Sequence, residues 1–331
     1  MNDKQITRRR FMRDGAVTAA GVAVALNAPV AANADDTARI LNYNPNMEYR
    51  RLGKTNFMVS AIGLGGHSGS DQEERNQVMA RCLDIGINFL DSTGPGELHR
   101  DIAALGGKRD KVYLALSDTG REPRNPEFRT AQKLSETLDN ALQTAKLEYT
   151  DLWRITVYEP GGRHTFDTSC EVIEALTNAK KQGKARSVGI SSHDRRWFKF
   201  MIEYFGDLEV VLFPFTTMSK VAPTDSLFPA IKKCDVGAFG IKPFAAGSLF
   251  RGDREEDLKR ARLAIRYILH SNTVIPIPGL NSVEEVDNVA KAVAERRELD
   301  LEEKAYLESA ATQAWANLPQ NYQWLKNWQY V

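Results

Sequence analysis

The stretch ARSVGISSHDRRWFKFMIEYFGDLEVVLF (185–213) contains the pattern from which the fold can be predicted. Residues 185–190 and 209–213 are short, mostly apolar runs, which are typical of buried strands. Residues 194–205 lie between them and have the length and amphipathic spacing of a helix. A strand, a helix and a second strand in this order indicate a parallel βαβ unit.

The same alternation continues along most of the chain. Strands are predicted at 60–64, 87–91, 111–117, 151–157, 185–190, 209–213, 237–242 and 273–277. Helices are predicted at 71–85, 97–105, 126–147, 166–182, 194–205, 225–234, 254–270 and 283–297. Eight such repeats predict an α/β fold, a (β/α)8 TIM barrel. An open doubly wound sheet is the alternative, and it is disfavoured because GLGG (63–66) lacks the third glycine of a GxGxxG motif.

Composition excludes several classes of partner. The 331 residues include 44 basic and 43 acidic side chains, for a net charge of +1, and no long block carries one sign. We therefore expect no nucleic-acid partner. Cys82, Cys170 and Cys234 stand far apart without a CxxC pair, so they predict buried thiols and no metal site.

The N-terminus has the composition of an export signal. TRRRFMR (7–13) is basic, the apolar run AVTAAGVAVAL (16–26) follows, and Ala32-Asn33-Ala34 offers a small-x-small cleavage site. This order resembles a twin-arginine translocation signal. We therefore predict a signal peptide at 1–34, a leader at 35–47, a barrel at 48–331 and a periplasmic or otherwise exported protein. An uncleaved membrane anchor is the alternative.

Five segments, in matching order, resemble aldo-keto reductases. They are EYRRLGKTNFMVSAIGLGG (48–66), GINFLDS (86–92), GKARSVGISSH (183–193), GIKPFAAGSL (240–249) and IPIPGLNSVEEVDNV (275–289). The resemblance implies an N-terminal β-hairpin before the barrel and a C-terminal helical tail after it. It also implies an oxidoreductase that transfers hydride between NAD(P)(H) and a small carbonyl or alcohol substrate.

The resemblance also implies a catalytic tetrad, most of which is missing here. Family members use an aspartate, a tyrosine, a lysine and a histidine. Asp91 matches the aspartate, but the loop STGPGELH (92–99) has no tyrosine, and Ser117 and Thr156 stand where the lysine and histidine are expected. Asp91 and Lys242 are therefore the predicted catalytic pair, with structural roles as the alternative. Other candidates at the predicted mouth are His67, Tyr158, Glu159 and His193.

The cofactor side matches the family better. Ser191 and Ser192 match the residues that bind the nicotinamide carboxamide, and Phe215 matches the aromatic ring that stacks on the nicotinamide. The predicted pyrophosphate and adenosine contacts are Gly279, Asn281, Glu285 and Asn288. Asn281 replaces a basic residue that often binds a 2′-phosphate, so NADH is favoured over NADPH.

Three functions remain open at this point. The first is a nicotinamide-dependent oxidoreductase with a non-standard or weakened catalytic site. The second is an inactive barrel that serves as a ligand-binding or assembly subunit, and the third is a non-redox enzyme in the same pocket. The aromatic C-terminal tail could close the pocket or bind a protein partner; its rings are Trp315, Tyr322, Trp324, Trp328 and Tyr330.

Overall fold

The computed structural model describes residues 39–158, 165–217 and 227–318, together with Gln320 and Gln323. A two-stranded antiparallel hairpin precedes seven parallel strands, each paired with the next along the chain. The strands are β1 (Tyr49–Arg51), β2 (Met58–Ser60), β3 (Phe89–Ser92), β4 (Tyr113–Leu116), β5 (Thr150–Tyr158), β6 (Ala185–Ser192), β7 (Val210–Pro214), β8 (Gly237–Ile241) and β9 (Ile275–Pro276).

Residues 63–65 close this sheet into a barrel. The Leu64 N–H donates to the Phe89 carbonyl at 2.9 Å, and the Leu64 carbonyl accepts from the Asp91 N–H at 2.9 Å. On the other side, the Gly63 and Gly65 N–H groups donate to the Pro276 and Pro278 carbonyls at 3.0 and 2.8 Å. These bonds join β3 to β9, so the segment acts as the eighth barrel strand.

Helices follow the strands and surround the sheet. They are α1 (Gln72–Asp84), α2 (Pro95–Leu105), α3 (Ala131–Ala145), α4 (Phe166–Lys181), α5 (Arg195–Tyr204), α6 (Leu227–Lys233), α7 (Arg254–His270), α8 (Val283–Ala294) and α9 (Leu301–Ala316). Short 3₁₀ turns occupy Gly53–Thr55, Arg109–Lys111, Pro126–Phe128 and Ala245–Gly247. Side-chain caps explain several helix starts: Asp194 begins α5, Ser282 begins α8, and Asp300 forms a capping box with Glu303 at the start of α9.

The core has two layers because successive strand residues face opposite sides of the sheet. The outer layer packs between the sheet and the helices and includes Leu90, Ile155 and Phe213. The inner layer fills the barrel; its members include Phe89, Leu152, Leu212, Phe239 and Ile277, and the hairpin adds Leu52, Phe57 and Val59 at one end. Strand alternation therefore tells which side chains face the barrel interior.

The predicted α/β barrel is confirmed, as is the hairpin before it. The first predicted strand, 60–64, is wrong in extent, because Ser60 ends the hairpin and only Leu64 forms a ladder bridge. No helix in the described ranges is long and apolar enough to span a membrane. The predicted signal peptide, residues 35–38 of the leader and most of the aromatic tail lie outside the described residues.

Candidate functional site

The carboxyl ends of the barrel strands carry a layer of inward-facing polar residues. By strand alternation, Asp91 lies on the same inner side of the sheet as Phe89 of β3, and Ser117 lies on the same side as Ala115 of β4. Ser191, near the end of β6, also faces inward. Arg154 and Thr156 follow Leu152 in β5 by the same alternation. Because active sites of this fold lie at the carboxyl ends of the strands, this layer is the candidate active site.

Asp91 forms a buried, two-bonded ion pair with Arg154. The guanidinium Nε donates to Asp91 Oδ1 at 2.7 Å, and Nη2 donates to Oδ2 at 2.9 Å. Each side chain is only 4% exposed. Although burial opposes the charge, Asp91 keeps the pKa of the Arg154 guanidinium raised. The predicted carboxylate is therefore at the barrel mouth, and its cation comes from β5 rather than from the end of β8.

Lys242 has a different partner from the one expected. Its Nζ lies 3.1 Å from His193 Nε2, whereas Asp91 binds Arg154. His193 is buried, and desolvation, followed by the positive charges of Lys242 and Arg124, holds its pKa well below the usual value. A neutral imidazole accepts a hydrogen bond from the lysine ammonium in this arrangement. The predicted pairing of Asp91 with Lys242 is therefore corrected.

The predicted nicotinamide contacts divide between the two faces of the barrel wall. Ser191 faces the interior, where a ligand amide could reach it. Ser192 faces outward, and its hydroxyl accepts from the Asp194 N–H at 3.1 Å. Phe215 is also outward and 4% exposed, with its ring packed against Phe228 and Tyr267. Stacking of Phe215 on a nicotinamide would require the ring to leave these contacts. The position of the ring in the structure therefore does not fit the expected stacking.

The loop after β9 approaches the loop after the first barrel strand very closely. A Cβ added to Gly279 would lie 3.1 Å from the Gly66 carbonyl oxygen, so glycine suits this approach. The Ser68 hydroxyl accepts from the Leu280 N–H at 2.9 Å and donates to the Gly65 carbonyl at 2.8 Å. The two loops therefore form one backbone-lined rim beside the start of α8.

The remaining predicted adenosine contacts are already hydrogen-bonded within the chain. Glu285 accepts from the Asn281 N–H at 2.8 Å and from Arg254 at 3.0 Å. Asn288 is buried and donates to the Leu258 carbonyl at 2.8 Å, which ties α8 to α7. Glu285 and Asn281 thus lie at the helix start as predicted, whereas Asn288 has a structural contact.

Two functional candidates were missed in the sequence. Arg154 could have been found, because a charge in the inward register of an apolar strand must be paired. Glu122 lies in the irregular loop after β4, where no periodicity places a side chain. Its Oε1 accepts from the Asp118 N–H at 3.1 Å and its Oε2 from the Thr156 N–H at 3.0 Å. Burial raises the pKa of Glu122 to about 7, although Arg154, Thr156 and Asp118 each act to lower it.

Other sequence candidates have less central placements. The His67 ring is 87% exposed and lies 3.9 Å from Glu97, and Glu159 falls outside the described residues. Within the described ranges, no group of three His, Cys, Asp or Glu side chains is placed to hold a metal ion. Cys82 is buried, whereas Cys170 and Cys234 are half-buried, and all three are free thiols.

Comparison with known proteins gives the family. The model of the aldo/keto reductase family matches residues 61–312. This covers the barrel from its first strand into α9, which is most of the chain. The protein therefore belongs to the aldo/keto reductase family of oxidoreductases.

Individual relatives share only a low sequence identity with this chain. L-galactose dehydrogenase of Arabidopsis thaliana is 26% identical over 80% of this chain and 94% of its own length. L-glyceraldehyde 3-phosphate reductase of Escherichia coli is 25% identical over 61% of this chain and 63% of its own. An aldo-keto reductase from Bacillus halodurans, solved in a holo form, superposes with a TM-score of 0.64 at 23% identity, covering 84% of this chain and 99% of that one. This likeness shows that the two share a fold.

Proposed function

We propose that this chain is a nicotinamide-dependent oxidoreductase that interconverts a small carbonyl compound and its alcohol through an altered catalytic site. Family membership supports the reaction class. The observation that carries the proposal is the buried Asp91–Arg154 pair at the catalytic end of the barrel. A buried charge pair costs desolvation energy, and such costs are commonly found at functional sites.

The altered site follows from the residues at the tetrad positions. No tyrosine lies in the loop 92–99, and Ser117 and Thr156 occupy the expected lysine and histidine positions. Arg154 provides the cation beside Asp91 that the lysine would otherwise provide. An arginine has a fixed charge and cannot itself give up a proton near neutral pH. A separate acid is therefore needed for carbonyl reduction.

The rim residues fit the phosphate-bearing part of a nicotinamide cofactor. The close backbone approach at Gly279 would hold the pyrophosphate, the start of α8 would contact the adenosine, and Ser191 would face the nicotinamide. The bound cofactor would supply or accept the hydride. The chain's own residues would orient the substrate oxygen toward the polar layer around Arg154 and Thr156 and exclude water from it.

We further propose that NADH is preferred to NADPH. Asn281 carries no charge, and Arg254 at the start of α7 already binds Glu284 at 2.6 Å and Glu285 at 3.0 Å. These carboxylates raise the pKa of Arg254 and leave negative charge at the helix start. A 2′-phosphate there would meet electrostatic repulsion. The 2′-hydroxyl of NADH would not.

Polyhydroxylated aldehydes and sugars are the proposed substrate class. Two relatives are named for L-galactose and L-glyceraldehyde 3-phosphate, and a third, 28% identical over 48% of this chain and 56% of its own length, is the 6-dehydroglucose reductase of Novosphingobium aromaticivorans. All three names specify a carbonyl or hydroxyl group on a polyhydroxylated carbon chain. The inward Ser117, Thr156 and Ser191 hydroxyls suit hydrogen bonding to such a substrate.

The decisive experiment releases and identifies any bound nucleotide from denatured protein, and then titrates NADH and NADPH by tryptophan quenching. We expect binding of both, with NADH tighter. Asp91→Asn, which removes one of the two carboxylate oxygens bound by Arg154, should abolish turnover of glyceraldehyde while NADH binding persists. Failure of both nucleotides to bind at millimolar concentration would instead favour an inactive barrel that serves as a binding or assembly subunit.

We also propose that the chain is exported through the twin-arginine pathway, and that the aromatic tail binds a protein partner. The supporting features are Arg8, Arg9 and the apolar run 16–26. Changing Arg8 and Arg9 to lysine should retain the protein in the cytoplasm, as measured by cell fractionation. Normal periplasmic accumulation of the double variant would contradict export by this route.

The proposed protein partner of the aromatic tail is tested by truncation. Truncation before Tyr322 should remove any protein that co-purifies with the full chain.

A further inference from the structure

A second carboxylate shares the Asp91–Arg154 site. Glu122 is 2% exposed and lies against β5, where its Oε2 accepts from the Thr156 N–H at 3.0 Å. Arg154 is close enough to act electrostatically on it. The buried cluster therefore has two carboxyl groups and one guanidinium. Since two ionised carboxylates would leave an excess negative charge away from water, a proton is favoured on one of them.

Thr156 connects this carboxyl group to the barrel interior. Its side chain faces inward by strand alternation, and it stands where the family resemblance expects a histidine. Its backbone N–H donates to Glu122 Oε2 at 3.0 Å, and its hydroxyl lies 3.5 Å from Arg154 Nη1. The Thr156 side chain also acts to lower the pKa of Glu122. A hydroxyl can donate one proton while accepting another. Thr156 is thus placed to pass a proton between Glu122 and a ligand in the barrel.

We propose that Glu122 and Thr156 form the proton relay that replaces the missing tyrosine in carbonyl reduction. This inference rests on the proposed function. During reduction the carbonyl carbon gains the hydride supplied by the nicotinamide, and the C=O π bond breaks. The substrate oxygen takes the Thr156 hydroxyl proton as Thr156 takes the proton of Glu122. The product is the alcohol, and Glu122 is left as a carboxylate. Thr156 touches the substrate, and Glu122 acts through it.

The charges around Glu122 suit this cycle. Burial raises its pKa to about 7, so both protonation states are accessible near neutral pH. Arg154 from β5 faces it and stabilises the carboxylate that remains after proton transfer. Asp91 from β3 and Glu97 from α2 act in turn on Arg154, and the loop itself contributes the Asp118 N–H.

The alternative acid is the Lys242–His193 pair. His193 is held neutral by burial and by nearby positive charge, so it is a poor proton donor near neutral pH. Both carboxylate oxygens of Asp91 already accept hydrogen bonds from Arg154. Glu122 thus combines a raised pKa with a position behind the Thr156 hydroxyl, which faces the barrel interior.

The test compares Thr156→Val with Thr156→Ser in the full-length protein, using glyceraldehyde and NADH. Valine keeps the backbone N–H and the branched shape but removes the hydroxyl, whereas serine keeps the hydroxyl. We expect kcat to fall at least ~100-fold in Thr156→Val and to stay within about tenfold of wild type in Thr156→Ser. The NADH dissociation constant should be unchanged in both. Comparable kcat in Thr156→Val and wild type would overturn the relay.

The pH profile tests Glu122 itself. Wild-type reduction should decline as pH rises through about 7, because the donor loses its proton. Glu122→Gln should be slow and lack this inflection, whereas Lys242→Met should retain it. An inflection that persists in Glu122→Gln and disappears in Lys242→Met would assign the acid to the lysine–histidine pair and overturn the proposal.

Infrared difference spectroscopy supplies a readout independent of turnover. A protonated-carboxyl band should titrate near pH 7 in the wild type and be absent from Glu122→Gln. Lack of such a band would overturn the relay even in an active enzyme. Failure of the wild type to bind NADH or to reduce any probe would remove the proposed function, and the relay with it. Turnover that survives in Thr156→Val would remove the relay alone.

Discussion

Two buried arginine–aspartate pairs lie near the carboxyl end of the barrel, and they differ in what surrounds them. Arg75 of α1 and Asp101 of α2 pair outside the barrel wall and are both fully buried. Arg154 and Asp91 pair inside the barrel, with each side chain 4% exposed. The residue types are the same, so any difference between the pairs comes from their neighbours.

The outer pair belongs to a structural network. Arg75 donates to the Ser68 carbonyl at 2.8 Å, and Asp101 accepts from the Ser92 hydroxyl. Ser68 in turn binds the Leu280 N–H, so the pair connects the rim loop to β3 beside Asp91. Burial keeps the pKa of Asp101 raised even with Arg75 beside it. One guanidinium is hydrogen-bonded to one carboxylate here, and the nearby Glu97 also acts to raise the pKa of Asp101.

The inner pair has an unequal charge balance. Glu122 adds a second carboxyl group beside Arg154, and its pKa is raised to about 7. A paired buried carboxylate holds loops in place, whereas an extra carboxyl group beside such a pair creates a site that can exchange a proton near neutral pH.

The largest expected effect is on the outer pair. Arg75→Met would leave Asp101 buried without its cation, so we expect a loss of about 3–5 kcal/mol in the free energy of unfolding. The matched control is Arg81→Met, which removes a half-exposed partner of Asp287 and should cost less than about 1 kcal/mol. Urea unfolding of both variants measures this. Equal losses would show that the buried Arg75–Asp101 pair contributes no more to the free energy of unfolding than the half-exposed Arg81–Asp287 pair.

An intermediate effect is expected from Glu122 on the pH dependence of stability. Its folded-state pKa of about 7 exceeds the ordinary 4.5, so the folded protein binds more protons between these values. The wild type should therefore lose stability as pH rises from about 4.5 to about 7, by an amount on the order of 3 kcal/mol, since one pKa unit corresponds to about 1.4 kcal/mol.

Glu122→Gln provides the control for this measurement. It removes the titrating group, so its free energy of unfolding should lack this decline while keeping the contributions of all other groups. Urea unfolding at several pH values in this window gives the difference. Parallel curves for the wild type and the variant would show that Glu122 titrates normally in the folded protein.

The smallest effect is expected at Ser117. Its hydroxyl is fully buried and has no hydrogen-bond partner among the described residues, although it faces the same interior as Arg154. Ser117→Ala should therefore leave the free energy of unfolding unchanged or raise it by up to about 1 kcal/mol. A rise in KM for glyceraldehyde in the same variant would indicate that the hydroxyl binds substrate. A clear loss of stability would contradict the unpaired hydroxyl.

The sequence was most informative where a residue's position depends on local periodicity. The helix predicted over 254–270 has its observed bounds, because amphipathic spacing is a local signal; the structure adds that Asp253 caps its start. The inward side of Asp91 also follows from its own strand. The stacking role of Phe215 comes from the resemblance and stays a prediction, whereas the packing of its ring against Phe228 and Tyr267 is seen only in the structure.

The order of strands and helices, the family and the placement of Asp91 at the barrel mouth follow from the amino-acid sequence, because they depend on the spacing of apolar residues and on short motifs. The pairing of Asp91 with Arg154, the pairing of Lys242 with His193 and the contact of Glu122 with Thr156 are visible only in the folded chain. Barrel closure brings together residues far apart in the chain, and their ionisation depends on how deeply that packing buries them.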